Sequence, residues 1–245
     1  MTTLTKWAIG LLISLLSVPL LGAAWIFVAI NGGISSIILN MKSRPDLDSP
    51  DLKRNRAKLE DQIDADFGRA IPSDGFVHYA RSTQDACYDG ANNWKHQDGF
   101  AHRCTLRVTN FYGLDGDFRK TMLDFGKSIL AAAWHPNIYD SNIHDIAWTL
   151  TQYDAATQNH DTVDHLPNPY PYYKGGFTLD IRWAERGSQR LFGLKDIQAY
   201  NMGWVSENNF YDQRKLTDAN DVFRDVTRDH RYILAIAISG HYFEN

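Results

Sequence analysis

The sequence predicts an α+β protein, in which a single N-terminal transmembrane helix is followed by a ferredoxin-like (βαββαβ) antiparallel sheet with two helices on one face. Three observations lead there. Trp7 to Ile30 is a run of twenty-four residues without a charged side chain, and at about 1.5 Å per residue it reaches roughly 36 Å against a hydrocarbon core of about 30 Å. From residue 102 onward, segments that alternate apolar and polar residues are interleaved with segments of helical period, as a half-covered sheet with packed helices requires. Glu occurs only at 60, 185, 207 and 244, and every other carboxylate is Asp; Asp favours caps and turns over helix interiors.

The composition is 44% hydrophobic and 13% aromatic, too apolar for a disordered chain, and the net charge of -4 offers no basic footprint for nucleic acid. The organisation expected is a membrane anchor with an interfacial segment over residues 1–41, a charged amphipathic helical linker over 42–74, and a soluble α+β domain over 75–245. Gly22-Ala23-Ala24 resembles a signal-cleavage site. The apolar run continues past it through Trp25 to Ile30, so retention as a signal anchor is expected. Lys42, Arg44, Lys53, Arg54, Arg56 and Lys58 after the run argue by the positive-inside rule for a cytoplasmic body. The signal-like start and the cysteine pair argue for the outside, and that is the orientation adopted.

In chain order, Ser49-Pro50-Asp51 is a helix start, with a capping Ser, Pro at the first helical position and an early acid. Leu52, Leu59, Ile63 and Phe67 make a narrow apolar stripe on the helix that follows. That helix lies on its own domain or forms a short self-pairing stalk. Gly75 to Ala80 reads as a short strand. Cys87 and Cys104 fall on either side of a loop rich in Asp, Asn and Gly, and in an oxidising compartment they pair as a disulfide.

Arg103 to Tyr112 alternates, with Leu106 and Val108 opposed to Thr105, Arg107 and Thr109. Phe118, Met122, Phe125, Ile129 and Ala133 then mark a helix. Ile146 to Tyr153 reads as a second alternating strand and Phe177 to Trp183 as a third, with a long excursion over residues 186 to 215. A helix capped by Thr217 precedes the last strand, Arg231 to Phe243. Leu234, Ile236 and Ile238 face the core there, and Ala235, Ala237, Ser239 and His241 face away.

The face away from the helices carries the binding candidates Arg107, Thr149, Asp180, Arg182 and His241. Two guanidiniums can grip a carboxylate or phosphate through paired hydrogen bonds. The competing structural reading is a cross-strand salt bridge from Asp180 to an arginine, with the excursion lying over the face. His160, Asp164 and His165 are weak metal candidates, because a closed zinc site needs about four ligands in tetrahedral order; no metal and no cofactor is expected. Phe125-Gly126-Lys127-Ser128 imitates the end of a phosphate-binding loop, but Thr121 stands where that motif needs Gly.

The function expected is that of a membrane-anchored, extracytoplasmic binding domain recognising another membrane or envelope protein or a small anionic ligand. It contacts the membrane through residues 7–30 and does not bind nucleic acid. The alternatives are a hydrolase using the His and Asp residues of 160 to 165 with His144 or His241, and a structural accessory subunit of a membrane complex.

Overall fold

The computed structural model describes residue 38 and residues 42–72, 74–90, 98–136, 145–158, 171–186, 210–215, 225–226 and 228–245. Trp7 to Ile30, the loop from His160 to His165, Thr217 and His144 lie outside the described residues. Among the described residues, no helix is long and apolar enough to cross a membrane.

The elements in order are α1 (Pro50–Ala70), β1 (Val77–Asp89), β2 (His102–Leu114), α2 (Phe118–Ala131), β3 (His135–Pro136), α3 (Ile146–Gln158), β4 (Tyr172–Lys174), β5 (Phe177–Glu185), β6 (Phe210–Lys215) and β7 (Tyr232–Glu244). The strands form an antiparallel sheet in the order β3-β4-β5-β7-β2-β1-β6, in which β3 contributes only two residues. The architecture is α+β. The chain divides into two compact units, a larger one of Asp46–Tyr88 and Cys104–Phe243 and a smaller one of Met1–Pro45, Asp89–Arg103 and Glu244–Asn245.

Within the larger unit the alternation read from the sequence sorts the sheet into two faces. Leu106, Val108, Leu179, Ile181, Leu234, Ile236 and Ile238 join one buried cluster with residues of all three helices. Phe111, Ala184, Ile233, Ala235 and Ala237 form a second cluster with Val226 on the opposite face. The helices begin where short polar side chains satisfy their first free N–H groups. The Ser49 hydroxyl accepts from the Leu52 N–H at 3.3 Å, and Asp117 accepts from the Lys120 N–H at 3.0 Å. The end of α2 closes with the Trp134 N–H donating to the Ile129 carbonyl and the Ala133 N–H to that of Leu130. That pattern places Ala133 at a φ of 65°, a left-handed position usually held by glycine.

α1 packs into the core of the larger unit through Leu59, Ile63, Phe67 and Ala70. Ion pairs fasten it on both sides. Arg56 donates to Asp85 of β1 at 2.5 Å, Arg81 of β1 donates to Asp64 at 2.6 Å, and Lys174 of β4 donates to the buried Asp66 at 2.7 Å. It passes so close to β7 that a Cβ at Gly240 would sit 3.1 Å from Leu59.

Two expectations are corrected. Ile146 to Tyr153 is not a strand, because Ile146–Gln158 is the helix α3. Asp145 caps it, accepting from the Trp148 N–H at 2.8 Å, and Ile146 and Leu150, one turn apart, are buried in the core. The strand and helix order expected for a ferredoxin-like βαββαβ unit is therefore broken there. The order β5-β7-β2 also sets the last strand between the first and third of that scheme. The excursion from 186 to 215 ends in β6, which pairs with β1 from Gln84↔Lys215 to Tyr88↔Phe210.

Candidate functional site

The face of the sheet away from the helices is where the candidate residues meet, and β7 explains how. Two strand spacings, about 9.6 Å, separate the backbones of β5 and β2 across β7. A long side chain from β2 reaches β5 only if the intervening strand presents nothing bulky. β7 presents Ala235, Ala237 and Ser239 on that face, and Asp180 stands opposite Ala237 in the register. Over this floor of small side chains the Arg107 guanidinium donates to Asp180 at 3.0 Å, with both side chains buried.

Burial pushes Arg107 down from the ordinary arginine range, Asp180 opposes that shift, and nearby Arg182 adds to it. The Arg107 Nε is buried without a hydrogen-bond partner among the described residues. Arg182 is half-buried and stands opposite Ala235. The exposed His241 lies farther along the same face, its Nδ1 3.3 Å from the Thr105 hydroxyl.

Arg107, Asp180, Arg182 and His241 thus share one face, as alternation predicts. Thr149 does not. It lies buried on α3, where its hydroxyl donates to the Asp145 carbonyl at 2.8 Å, so it leaves the candidate set. Arg107 and Asp180 are directed at each other, in a structural salt bridge that reaches across β7 instead of joining neighbouring strands. An anion would have to compete with the Asp180 carboxylate for Arg107.

Cys87 and Cys104 form a disulfide that closes a separation of seventeen residues, and both are buried. Beside it the Tyr242 hydroxyl lies 3.5 Å from the Cys87 sulfur and donates to Asp85 at 2.7 Å. Asp85 also receives Arg56, so one carboxylate collects a tyrosine and an arginine next to the bridge. Burial works to lower the Arg56 guanidinium, but Asp85 and Glu60 outweigh it and hold it above its ordinary value.

Sequence reading missed three polar clusters because their members are far apart in the chain. The first is this one around Asp85. In the second, His230 Nδ1 lies 2.6 Å from Asp115, whose other oxygen accepts from the Arg231 N–H at 3.0 Å. The imidazole lies over Gly113, where a Cβ would stand 2.1 Å from the ring. The backbone N–H of Arg231, followed by His230, holds the Asp115 carboxyl below its ordinary value.

The third is in the smaller unit. His102 Nδ1 lies 2.8 Å from Asp89, its Nε2 lies 2.9 Å from the Lys42 carbonyl, and Arg44 donates to both oxygens of Asp89. The abundance of Asp is the one sequence signal these clusters share.

His160, Asp164 and His165 fall outside the described residues. Among the described residues no group of three His, Cys, Asp or Glu side chains is placed to hold a metal ion. Comparison with protein-family models, curated proteins and solved structures finds no match.

Proposed function

We propose that the chain is a bilayer-tethered recognition domain whose folded body lies outside the cytoplasm and binds another membrane or envelope protein. The observation that carries this reading is the buried Cys87–Cys104 disulfide in the body of a chain that begins with a long uncharged apolar run. Disulfides persist in oxidising compartments, and a run of that length spans a bilayer. The small-ligand version of the reading is the weaker one, because Asp180 already occupies Arg107. A protein partner needs no such vacancy, and the exposed His241 with the half-buried Arg182 gives it polar contacts on the rim of the sheet face.

The test is made on native membranes. The chain should stay in the pellet after an alkaline carbonate wash, react with a membrane-impermeant amine reagent on intact cells, and show no free thiol when denatured without reductant. Chemical cross-linking should then capture a partner, with capture weakened by Arg182→Ala or His241→Ala. Release by carbonate, two free thiols, or labelling only after lysis would each overturn the placement. Capture unaffected by both substitutions would remove the sheet face from the reading.

A further inference from the structure

The His102 cluster joins three stretches of the smaller unit. They are the segment Lys42 to Pro45, the end of β1 at Asp89 and the start of β2 at His102. Both imidazole nitrogens face acceptors, Asp89 at 2.8 Å and the Lys42 carbonyl at 2.9 Å, and the ring is largely buried. A neutral imidazole has one N–H and one lone pair, whereas the imidazolium donates from both nitrogens. Only the protonated ring can make both bonds at once.

We propose that His102 is a proton-controlled pin that clasps the Lys42–Arg44 segment to the ends of β1 and β2. When the ring loses its proton, it keeps the charge-assisted bond to Asp89 and turns a lone pair toward the Lys42 carbonyl. That contact opens. Arg44 stays on Asp89, so the segment loosens at Lys42 first.

The charged neighbours are consistent with this assignment. Asp89 faces His102 from β1, and Arg44 approaches the same carboxylate from the Lys42 to Pro45 segment. Arg103, the next residue of β2, is engaged with Glu244 of β7 at 2.7 Å. The backbone N–H of His102 donates to the Asn245 side-chain oxygen, which does not titrate.

Burial works to raise the Asp89 carboxyl, but Arg44 and His102 outweigh it and hold Asp89 below the usual carboxylate range. Its share of the clasp is therefore complete above the ordinary carboxylate value and is lost as pH falls through the lowered one. The His102 share is lost in the opposite direction, when the ring gives up the proton that reaches the Lys42 carbonyl. The clasp is complete only while Asp89 is ionised and His102 carries both ring protons.

The test is limited trypsin digestion of the full chain in detergent, following cleavage after Lys42, since Pro45 protects the bond after Arg44. Rates are divided by those of an unstructured peptide of the same sequence at the same pH. From pH 6 to pH 8 the relative rate should rise about fivefold, the factor one net hydrogen bond is worth. In His102→Phe the rise should vanish, and in Arg44→Gln it should remain on a faster baseline.

A rise that persists in His102→Phe overturns the proposal, as does cleavage at pH 6 as fast as in the peptide. If His102→Phe does not fold, nitrogen NMR of the histidine-labelled wild-type chain decides. Both ring nitrogens should carry protons at pH 6 and one at pH 8; a ring with one proton throughout overturns the assignment. Because detergent removes the bilayer, failure here is distinct from failure of the tethering reading.

Discussion

Removing the Asp180 carboxylate by Asp180→Leu would leave the Arg107 guanidinium buried with its main anionic partner gone. The two side chains are 5% and 4% exposed and 3.0 Å apart, so at an effective dielectric of about 20 their gross attraction is roughly 5 kcal/mol. Desolvating both ions offsets most of that. The single substitution forfeits the attraction and keeps the cost of burying Arg107, whose Nε already lacks a partner among the described residues. It should destabilise the chain by about 3 to 5 kcal/mol, lowering Tm by about 6 to 20 °C for a body of this size. The double variant Arg107→Met with Asp180→Leu removes both charges over the same alanine floor and should recover most of the loss. The assay is a double-mutant cycle by thermal and urea unfolding monitored by circular dichroism. A single-variant loss below about 1 kcal/mol, in the range of ordinary surface changes, would refute the reasoning. So would a double variant no more stable than the single.

Other changes probe other parts of the body. Asp145→Ala removes the cap of α3 and should cost about 1 kcal/mol, read as a Tm drop of about 2 to 4 °C; an unchanged Tm would mean the Trp148 N–H finds another acceptor. Gly113→Ala drives a Cβ to 2.1 Å from the His230 ring, which Asp115 holds in place, and should cost about 1 to 3 kcal/mol. Combining it with His230→Ala should relieve part of that loss in urea unfolding. Burial pushes Tyr172 up to about 12, against an accepted hydrogen bond from the Ile146 N–H. The folded chain therefore keeps a proton that the unfolded chain releases near pH 10, and stability should fall between about pH 10 and 12 by roughly 2 to 3 kcal/mol. Tyr172→Phe should flatten that alkaline limb, and spectrophotometric titration should show one phenol ionising late.

What could be read in the residues was local. The cap at Ser49, the stripe from Leu52 to Phe67 and the core-facing residues of β2, β5 and β7 each lie within a few residues and have the predicted burial. The opposite face, which alternation marks as solvated, is buried as well at Arg107, Thr109, Asp180, Ala235 and Ala237. The cysteines were legible because so few placements were open to them. α3 was misread because Ile146, Trp148 and Leu150 satisfy a period of two, while Ile146 and Leu150 with buried Thr149 equally satisfy a helical turn. Asp145, a cap in front of the segment, was the sign that separates the two. The pairing of Arg107 with Asp180 depends on β7 lying between their strands, and alternation carries no strand order. The contact of His102 with Lys42 spans sixty positions, beyond any local pattern.

The fastening of α1 has a mechanical consequence. A load arriving along the chain from its N-terminal side enters the larger unit through a helix tied to β1 by Arg56 and Arg81 and to β4 by Lys174. Leu59 also seats that helix over Gly240 of β7. Tension is thereby shared among β1, β4 and β7, instead of falling on a single border strand. A fold attached this way resists being drawn open from its leading end, whereas the short outer strands β3 and β6 are where pulling from elsewhere would begin to part it.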